Sequence, residues 1–160
     1  MGKHSKPVPE RIPGEWRPNT TVVELFGDRQ SGKTEMVCRY AYADILFEGR
    51  KVVYVSRTHA ESREAFHRMR ALFAKLPVSP DALDRSFEFR NSGVGTEIRF
   101  GDHAKMWFES YRGGGRWRGA HVDTVIFDAF DTVPNRDVLV DVMPALAMSK
   151  NPKLVVATCA

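Results

Sequence analysis

Cysteine is scarce in this sequence. Only Cys38 and Cys159 occur, far apart and without ligand spacing. They make neither a disulfide framework nor a zinc site, and they fit a reducing cytoplasm. No apolar run approaches the length of a membrane span, and the N-terminus has no apolar signal region. These absences exclude a disulfide-stapled secreted scaffold and a helical membrane protein, and predict a soluble, cytoplasmic chain with no membrane partner. Internal repeats and low-complexity segments are also missing. Neither sign of charge dominates: 24 Lys and Arg against 20 Asp and Glu leave a formal net charge of +4. That small excess modestly favours polyanion partners, nucleic acid among them.

What remains is a chain of 160 residues, 42% hydrophobic and 28% charged. This is the profile of one globular domain, long enough to bury its own core. Residues 1–19 carry Pro7, Pro9, Pro13 and Pro18 among several charges and read as an extended leader. Trp16 either pins that leader to the core or lies near a bound base.

From residue 20 onward strands and helices alternate. Thr20 to Phe26 reads as a short strand. Residues 33–48 read as a helix with Met36, Val37, Tyr40, Ala41 and Ile45 as its apolar positions, stopped by Gly49. Cys38 lies in that helix and reads as a small core residue. Lys51 to Ser56 is a β-branched run, hence a second strand. Ala65, Phe66, Met69, Leu72, Phe73 and Leu76 recur at helical spacing over 60–76, with Arg63, His67, Arg70 and Lys75 opposite. Pro77 and Pro80 are expected to end that helix. Phe87 to Arg90 alternates, and Glu97–Phe100 with Lys105–Glu109 flank Gly101-Asp102 as a β-hairpin. Val122 to Asp128 is a buried strand ending in an acid. Residues 135–148 read as a helix bent or ended early by Pro144, and Leu154 to Thr158 as a last strand. The pattern predicts an α/β layered fold with a mostly parallel sheet flanked by helices, plus an inserted β-hairpin.

The chemistry concentrates at Gly27-Asp28-Arg29-Gln30-Ser31-Gly32-Lys33-Thr34, placed between the first strand and the first helix. Glycine, four residues, glycine, lysine, threonine is the Walker A spacing of a P-loop. Gly27 and Gly32 let the backbone turn tightly against phosphate oxygens. Successive N–H groups and the helix N-terminus then face the anion. Lys33 is suited to the β- and γ-phosphates of ATP, and Thr34 to Mg2+. Such a site also needs a carboxylate at the metal shell, and Asp128, ending an apolar strand, supplies it. Many ATPases of this type place Glu immediately after that Asp to activate water. Here Ala129 stands there, and losing a general base costs about a hundred- to ten-thousand-fold. Asp131 and Glu24 are the candidate substitutes, and nothing in the sequence places either at the site. The expected result is nucleotide binding with weak or absent turnover.

Taken in order, these residues resemble the large terminase subunit of tailed bacteriophages, in its N-terminal packaging ATPase. Arg29-Gln30-Ser31-Gly32-Lys33-Thr34 looks like that family's arginine-bearing phosphate loop, and Val52-Val53-Tyr54-Val55-Ser56 resembles its second strand. Ile98-Arg99-Phe100 and Met106-Trp107-Phe108 resemble its hairpin, Arg118-Gly119 its Arg-Gly element, and Leu154 to Thr158 its coupling strand. The likeness covers about residues 20–160, read as one P-loop ATPase domain. It implies a motor that turns ATP hydrolysis into movement of double-stranded DNA, with portal and small terminase subunit as partners. Arg29 would stabilise transition-state charge, and Thr158 would sense the γ-phosphate.

Ala129 departs from the family's catalytic Glu. The chain also stops where the family continues into later strands and a nuclease, so no nuclease activity is expected. In the family the strand after the acidic one inserts beside the phosphate-loop strand. That arrangement would make the last strand central and leave the phosphate-loop strand at an edge, completed by further chain or by a second polypeptide. Arg112, Arg116, Trp117 and Arg118 cluster in a glycine-rich stretch suited to a phosphate backbone. For Arg112 and Arg116, DNA contact and a solvated loop are both open. Arg118, just before the acidic strand, points to an ATP-site or coupling role. The competing function classes are a non-catalytic nucleotide-binding switch, a helicase-like ATPase and a small-molecule kinase. No recognisable lid or acceptor site favours the kinase, and no later motifs favour the helicase.

Overall fold

The computed structural model describes residues 20–27, 32–92, 95–111, 121–129 and 145–159. The expected leader with Trp16, and the helix expected over 135–148 except for a helical turn at 145–147, lie outside those residues.

Seven strands are described: β1 (Thr21–Gly27), β2 (Lys51–Ser56), β3 (Phe87–Ser92), β4 (Gly95–Phe100), β5 (Ala104–Ser110), β6 (Thr124–Phe127) and β7 (Lys153–Cys159). They form one sheet in the order β1-β7-β6-β2-β5-β4-β3. The pairs β1–β7, β7–β6, β6–β2 and β2–β5 are parallel. The pairs β5–β4 and β4–β3 are antiparallel. The predicted mostly parallel α/β sheet is therefore the observed one. The hairpin is a refinement of it: β5 belongs to the parallel core beside β2, and β4 with β3 extends that core as an antiparallel flap.

Alternation along the strands builds two apolar faces. Val52 and Tyr54 of β2, Ile126 of β6, and Val155 and Ala157 of β7 pack on the side of helices α1 (Lys33–Glu48) and α2 (His59–Ala74). Val53, Val55, Val125, Phe127, Leu154 and Val156 build the opposite core with Trp107, Ala145 and Leu146. Strands buried on both faces must be apolar throughout, which is why β2, β6 and β7 read as continuous runs.

Helix α1 has the predicted bounds because glycines frame it. Gly32 caps it in the left-handed region at φ 86°, and Gly49 ends it at φ 62° with its N–H bonded to Asp44 O. Both conformations are costly for any residue with a Cβ. Its buried face is Val37, Cys38, Ala41, Asp44 and Ile45. Cys38 is a core residue as expected, whereas Met36 and Tyr40 correct the helix reading: they are 49% and 36% exposed. In α2 the Thr58 hydroxyl accepts from Glu61 N at 3.2 Å, and Ala65, Phe66, Met69 and Phe73 are buried. Its basic residues Arg63, His67, Arg70 and Lys75 are exposed.

Two further expectations need correction. Pro80 does not merely stop α2; it opens α3 (Pro80–Ser86), whose cap Ser79 accepts from Ala82 N at 3.1 Å. Proline fits the first helical turn because that N–H has no intrahelical acceptor. And β7, although inserted between β6 and β1, is not central: β2 holds the middle of the sheet.

Candidate functional site

Strand β1 delivers Gly27 to the carboxyl end of the sheet, and α1 starts six residues later at Lys33. Positions 28–31 (Asp28, Arg29, Gln30, Ser31) lie outside the described residues. The two ends of the loop are held together by Lys33, whose Nζ donates to Gly27 O at 2.6 Å. Gly32 has nothing within 4 Å of an added Cβ, so its φ, not crowding, is what demands glycine.

Asp128 follows β6 directly. Its N–H donates to Val55 O at 2.9 Å, which continues the β6–β2 pairing one residue past the strand. Its Oδ2 accepts from Thr34 Oγ1 at 2.9 Å, joining residues 94 apart in sequence. The fold thus brings the last residue of the phosphate-loop pattern onto the acid that ends the apolar strand. A hydroxyl and a carboxylate converging at the carboxyl ends of parallel strands are hard oxygen donors of the kind Mg2+ takes, usually one or two protein groups with phosphate and water. Among the described residues no three His, Cys, Asp or Glu side chains cluster as a metal cage.

Thr158 is 7% exposed and lies level with Phe26 near the carboxyl end of β7, between β1 and β6. Ala129 adopts φ 57°, the one non-glycine residue with positive φ among those described. Glu24 is exposed on β1, and β7 separates that strand from β6. Asp131, Arg112, Arg116, Trp117 and Arg118 lie outside the described residues.

Two tyrosines at this turn escaped sequence reasoning. Tyr54, 1% exposed on β2, donates its hydroxyl to Asp128 Oδ2 at 2.5 Å. Tyr111 donates to the backbone oxygens of Asp128 at 2.6 Å and Ala129 at 3.0 Å. The available signal was chemical: a phenol inside the buried run of β2 needs a hydrogen-bond partner. Burial, then the negative charge of Asp128 and its hydrogen bond, push the Tyr54 phenol well above its ordinary range. It therefore stays a donor. Cys38, one turn beyond Thr34 in α1, is pushed up to about 12 by burial and then by the charges of Asp128 and Glu35. Its thiol is neutral at physiological pH, which excludes it as a nucleophile there.

Comparisons with known proteins identify the family and the fold. The family described as "Terminase large subunit, T4likevirus-type, N-terminal" matches residues 25–160. No curated protein matches by sequence. The large terminase of bacteriophage HK97 superposes with a TM-score of 0.72 at 18% identity, over 90% of this chain and 30% of that one. The large terminase ATPase domain of Thermus phage P74-26 gives 0.64 at 17% identity, over 89% of this chain and 61% of that one. A large terminase from a thermophilic bacteriophage, solved with ATP-gamma-S, gives 0.60 at 13% identity, over 89% and 35%. Identities this low speak for the fold, and the chain spans only part of each relative's length. With most of its length matched by the family description, the chain belongs to the T4-like terminase large subunit family, in its N-terminal region.

Proposed function

We propose that this chain is the ATP-binding motor module of a phage DNA-packaging terminase large subunit, coupling ATP hydrolysis to DNA translocation. The observation that carries the reading is the Thr34–Asp128 hydrogen bond at 2.9 Å. It joins two oxygen groups that a phosphate-bound Mg2+ requires, at the end of the sheet where the glycine loop begins. In this reading the N–H groups of Gly27 to Thr34 cradle the phosphates, and Lys33 exchanges Gly27 O for phosphate oxygens. Thr34 and Asp128 hold Mg2+, which supplies charge neutralisation at the β- and γ-phosphates. Arg29 stabilises charge on the transferring phosphoryl group, and Thr158 reads the γ-phosphate. Arg112, Arg116 and Arg118 contact DNA or couple it to the ATP site. The relative solved with ATP-gamma-S supports ATP as the nucleotide.

Ala129 favours a second reading for the isolated chain. A methyl group beside the metal carboxylate neither accepts a proton nor holds a water, so binding persists while hydrolysis is weak. Occupancy then acts as a switch. In either reading the host cytoplasm is the compartment, and double-stranded DNA, portal, small terminase subunit and a second polypeptide along β1 are the proposed partners. One domain from residue 20 to 160 with a leader at 1–19 is the matching organisation.

Steady-state ATP hydrolysis by this chain and by Ala129→Glu, with and without double-stranded DNA, separates the readings. The motor reading expects DNA-stimulated turnover to rise by about a hundredfold or more in the Glu variant. Equal silence in both, with tight nucleotide binding, favours the switch. Lys33→Ala is expected to abolish nucleotide binding in a fluorescence titration, and retained binding would refute the phosphate-loop assignment.

A further inference from the structure

Asp128 has two hydroxyl donors, and they come from different parts of the fold. Thr34 reaches Oδ2 from the first turn of α1, and Tyr54 reaches the same oxygen from the middle of β2. An ionised carboxylate oxygen accepts about two hydrogen bonds, so these two donors saturate Oδ2. The other carboxylate oxygen is left without a hydroxyl partner from either element. The Tyr54 bond, at 2.5 Å, lies in the range of charge-assisted O–H···O− contacts.

The donor is also rigidly mounted. Tyr54 pairs with Ile126 on one side and Phe108 on the other, in the central strand of the sheet. Its ring lies 5.8 Å from that of Phe108. The side chain is 1% exposed, so packing on all sides restrains the hydroxyl. Asp128 is tied to β2 a second time through its N–H to Val55 O. Backbone and side chain of the acid are thus both referenced to the same strand.

We propose that Tyr54 is a positioning residue for metal-dependent nucleotide binding, holding the Asp128 carboxylate so that one oxygen is committed to the Thr34 and Tyr54 hydroxyls and the other serves Mg2+. This inference rests on the ATP–Mg2+ reading above. The role differs from that of a buried phenol that merely finds a partner. A filler residue affects folding; a positioning residue affects how much Mg2+ the nucleotide complex needs. Groups that orient metal-binding carboxylates are commonly worth about ten- to a hundredfold in metal affinity.

The test is a Mg2+ titration of fluorescent ATP-analogue binding by the full chain and by Tyr54→Phe, which keeps the ring. The Mg2+ midpoint is expected to rise about tenfold in the variant, while nucleotide affinity in EDTA is unchanged. In an Asp128→Asn background, Tyr54→Phe is expected to add nothing further, because the two act through one carboxylate. Equal midpoints, or additive effects in the double variant, overturn the proposal. The unsubstituted chain carries a parallel test that needs no folded variant. With 13C at tyrosine Cζ, the Tyr54 resonance is expected to move on adding Mg2+–nucleotide but not on adding nucleotide in EDTA. A resonance indifferent to Mg2+ overturns the proposal. If the unsubstituted chain shows no Mg2+-dependent binding at all, the function proposed above falls, and this inference with it.

Discussion

At the scale of single residues, Ala129 is the most informative position. Its φ of 57° places a Cβ in the left-handed region, which costs an L-residue energy that glycine avoids. Tyr111 holds the turn there, through the backbone carbonyls on both sides of the Ala129 Cα. Relief of left-handed strain outweighs the added unfolded-chain entropy of glycine, so Ala129→Gly is expected to stabilise the fold by roughly 0.5–1 kcal/mol. Urea denaturation of the two proteins checks this, and a destabilised Gly variant would mean that the turn carries no strain. Ala129→Glu keeps a Cβ and adds no backbone cost of this kind, so its effect on hydrolysis can be read as chemistry. That alanine rather than an acid follows Asp128 is plain in the sequence, because the two positions are adjacent. It does not display the Tyr54–Asp128 contact, which spans 74 positions and depends on how β2 and β6 are registered.

Among the elements, the amino ends of β2, β6 and β7 are locked by Asp123, at the end of the sheet away from Gly27 and Lys33. Its Oδ2 accepts from Lys51 N at 3.0 Å, and its Oδ1 from Ser149 at 2.7 Å, with His121 Nε2 at 3.0 Å. Its backbone oxygen accepts from Lys153 N at 2.9 Å and from Arg50 at 2.7 Å. Burial would raise the Asp123 carboxyl, but the Lys51 N–H, the Ser149 hydroxyl and His121 outweigh it and hold the group below its ordinary value. A depressed folded-state value means stability that is present above the unfolded value, about 3.9, and is lost as pH falls through the folded one. Asp123→Asn is therefore expected to lose about 1–2 kcal/mol at neutral pH and to show a flatter acid limb below about pH 4. Urea midpoints measured from neutral pH into the acid range check this, and parallel curves for both proteins would exclude the linkage. Element boundaries were legible wherever local chemistry sets them, as at α1, framed by Gly32 and Gly49. Helix α3 was missed because Pro80 acts as a starter after Ser79 but reads, beside Pro77, as a breaker. The Asp123 lock was illegible, because it joins residues around 51, 123 and 149 that only the parallel pairing brings together.

For the whole molecule, the order of strands decides where it is open. Periodicity predicted parallel strands but not their sequence in the sheet; the insertion of β7 between β6 and β1 followed from the family resemblance, and the observed order agrees with it. That order leaves β1 at one end, paired with β7 alone among the described residues. An edge strand exposes unpaired N–H and C=O groups, and natural edges are usually blunted by charge, proline or a bulge. Among β1 residues only Glu24 carries charge. Phe26 is 58% exposed near the strand's end, while Val23 and Leu25 on the α1 side are only partly covered. The opposite edge is better protected, since the outward-facing Glu88 and Arg90 of β3 pair with each other at 2.5 Å. The asymmetry predicts that self-association proceeds through β1. Phe26→Lys puts a charge on that edge without touching either core, so the unfolding midpoint is expected to stay within about 0.5 kcal/mol of the parent. Light scattering against protein concentration is expected to show a clear fall in association for the Lys variant. The matching charge on the other edge, Ser92→Lys on β3, is expected to leave association as it was. Association that ignores Phe26→Lys but responds to Ser92→Lys would move the open edge to the other end of the sheet.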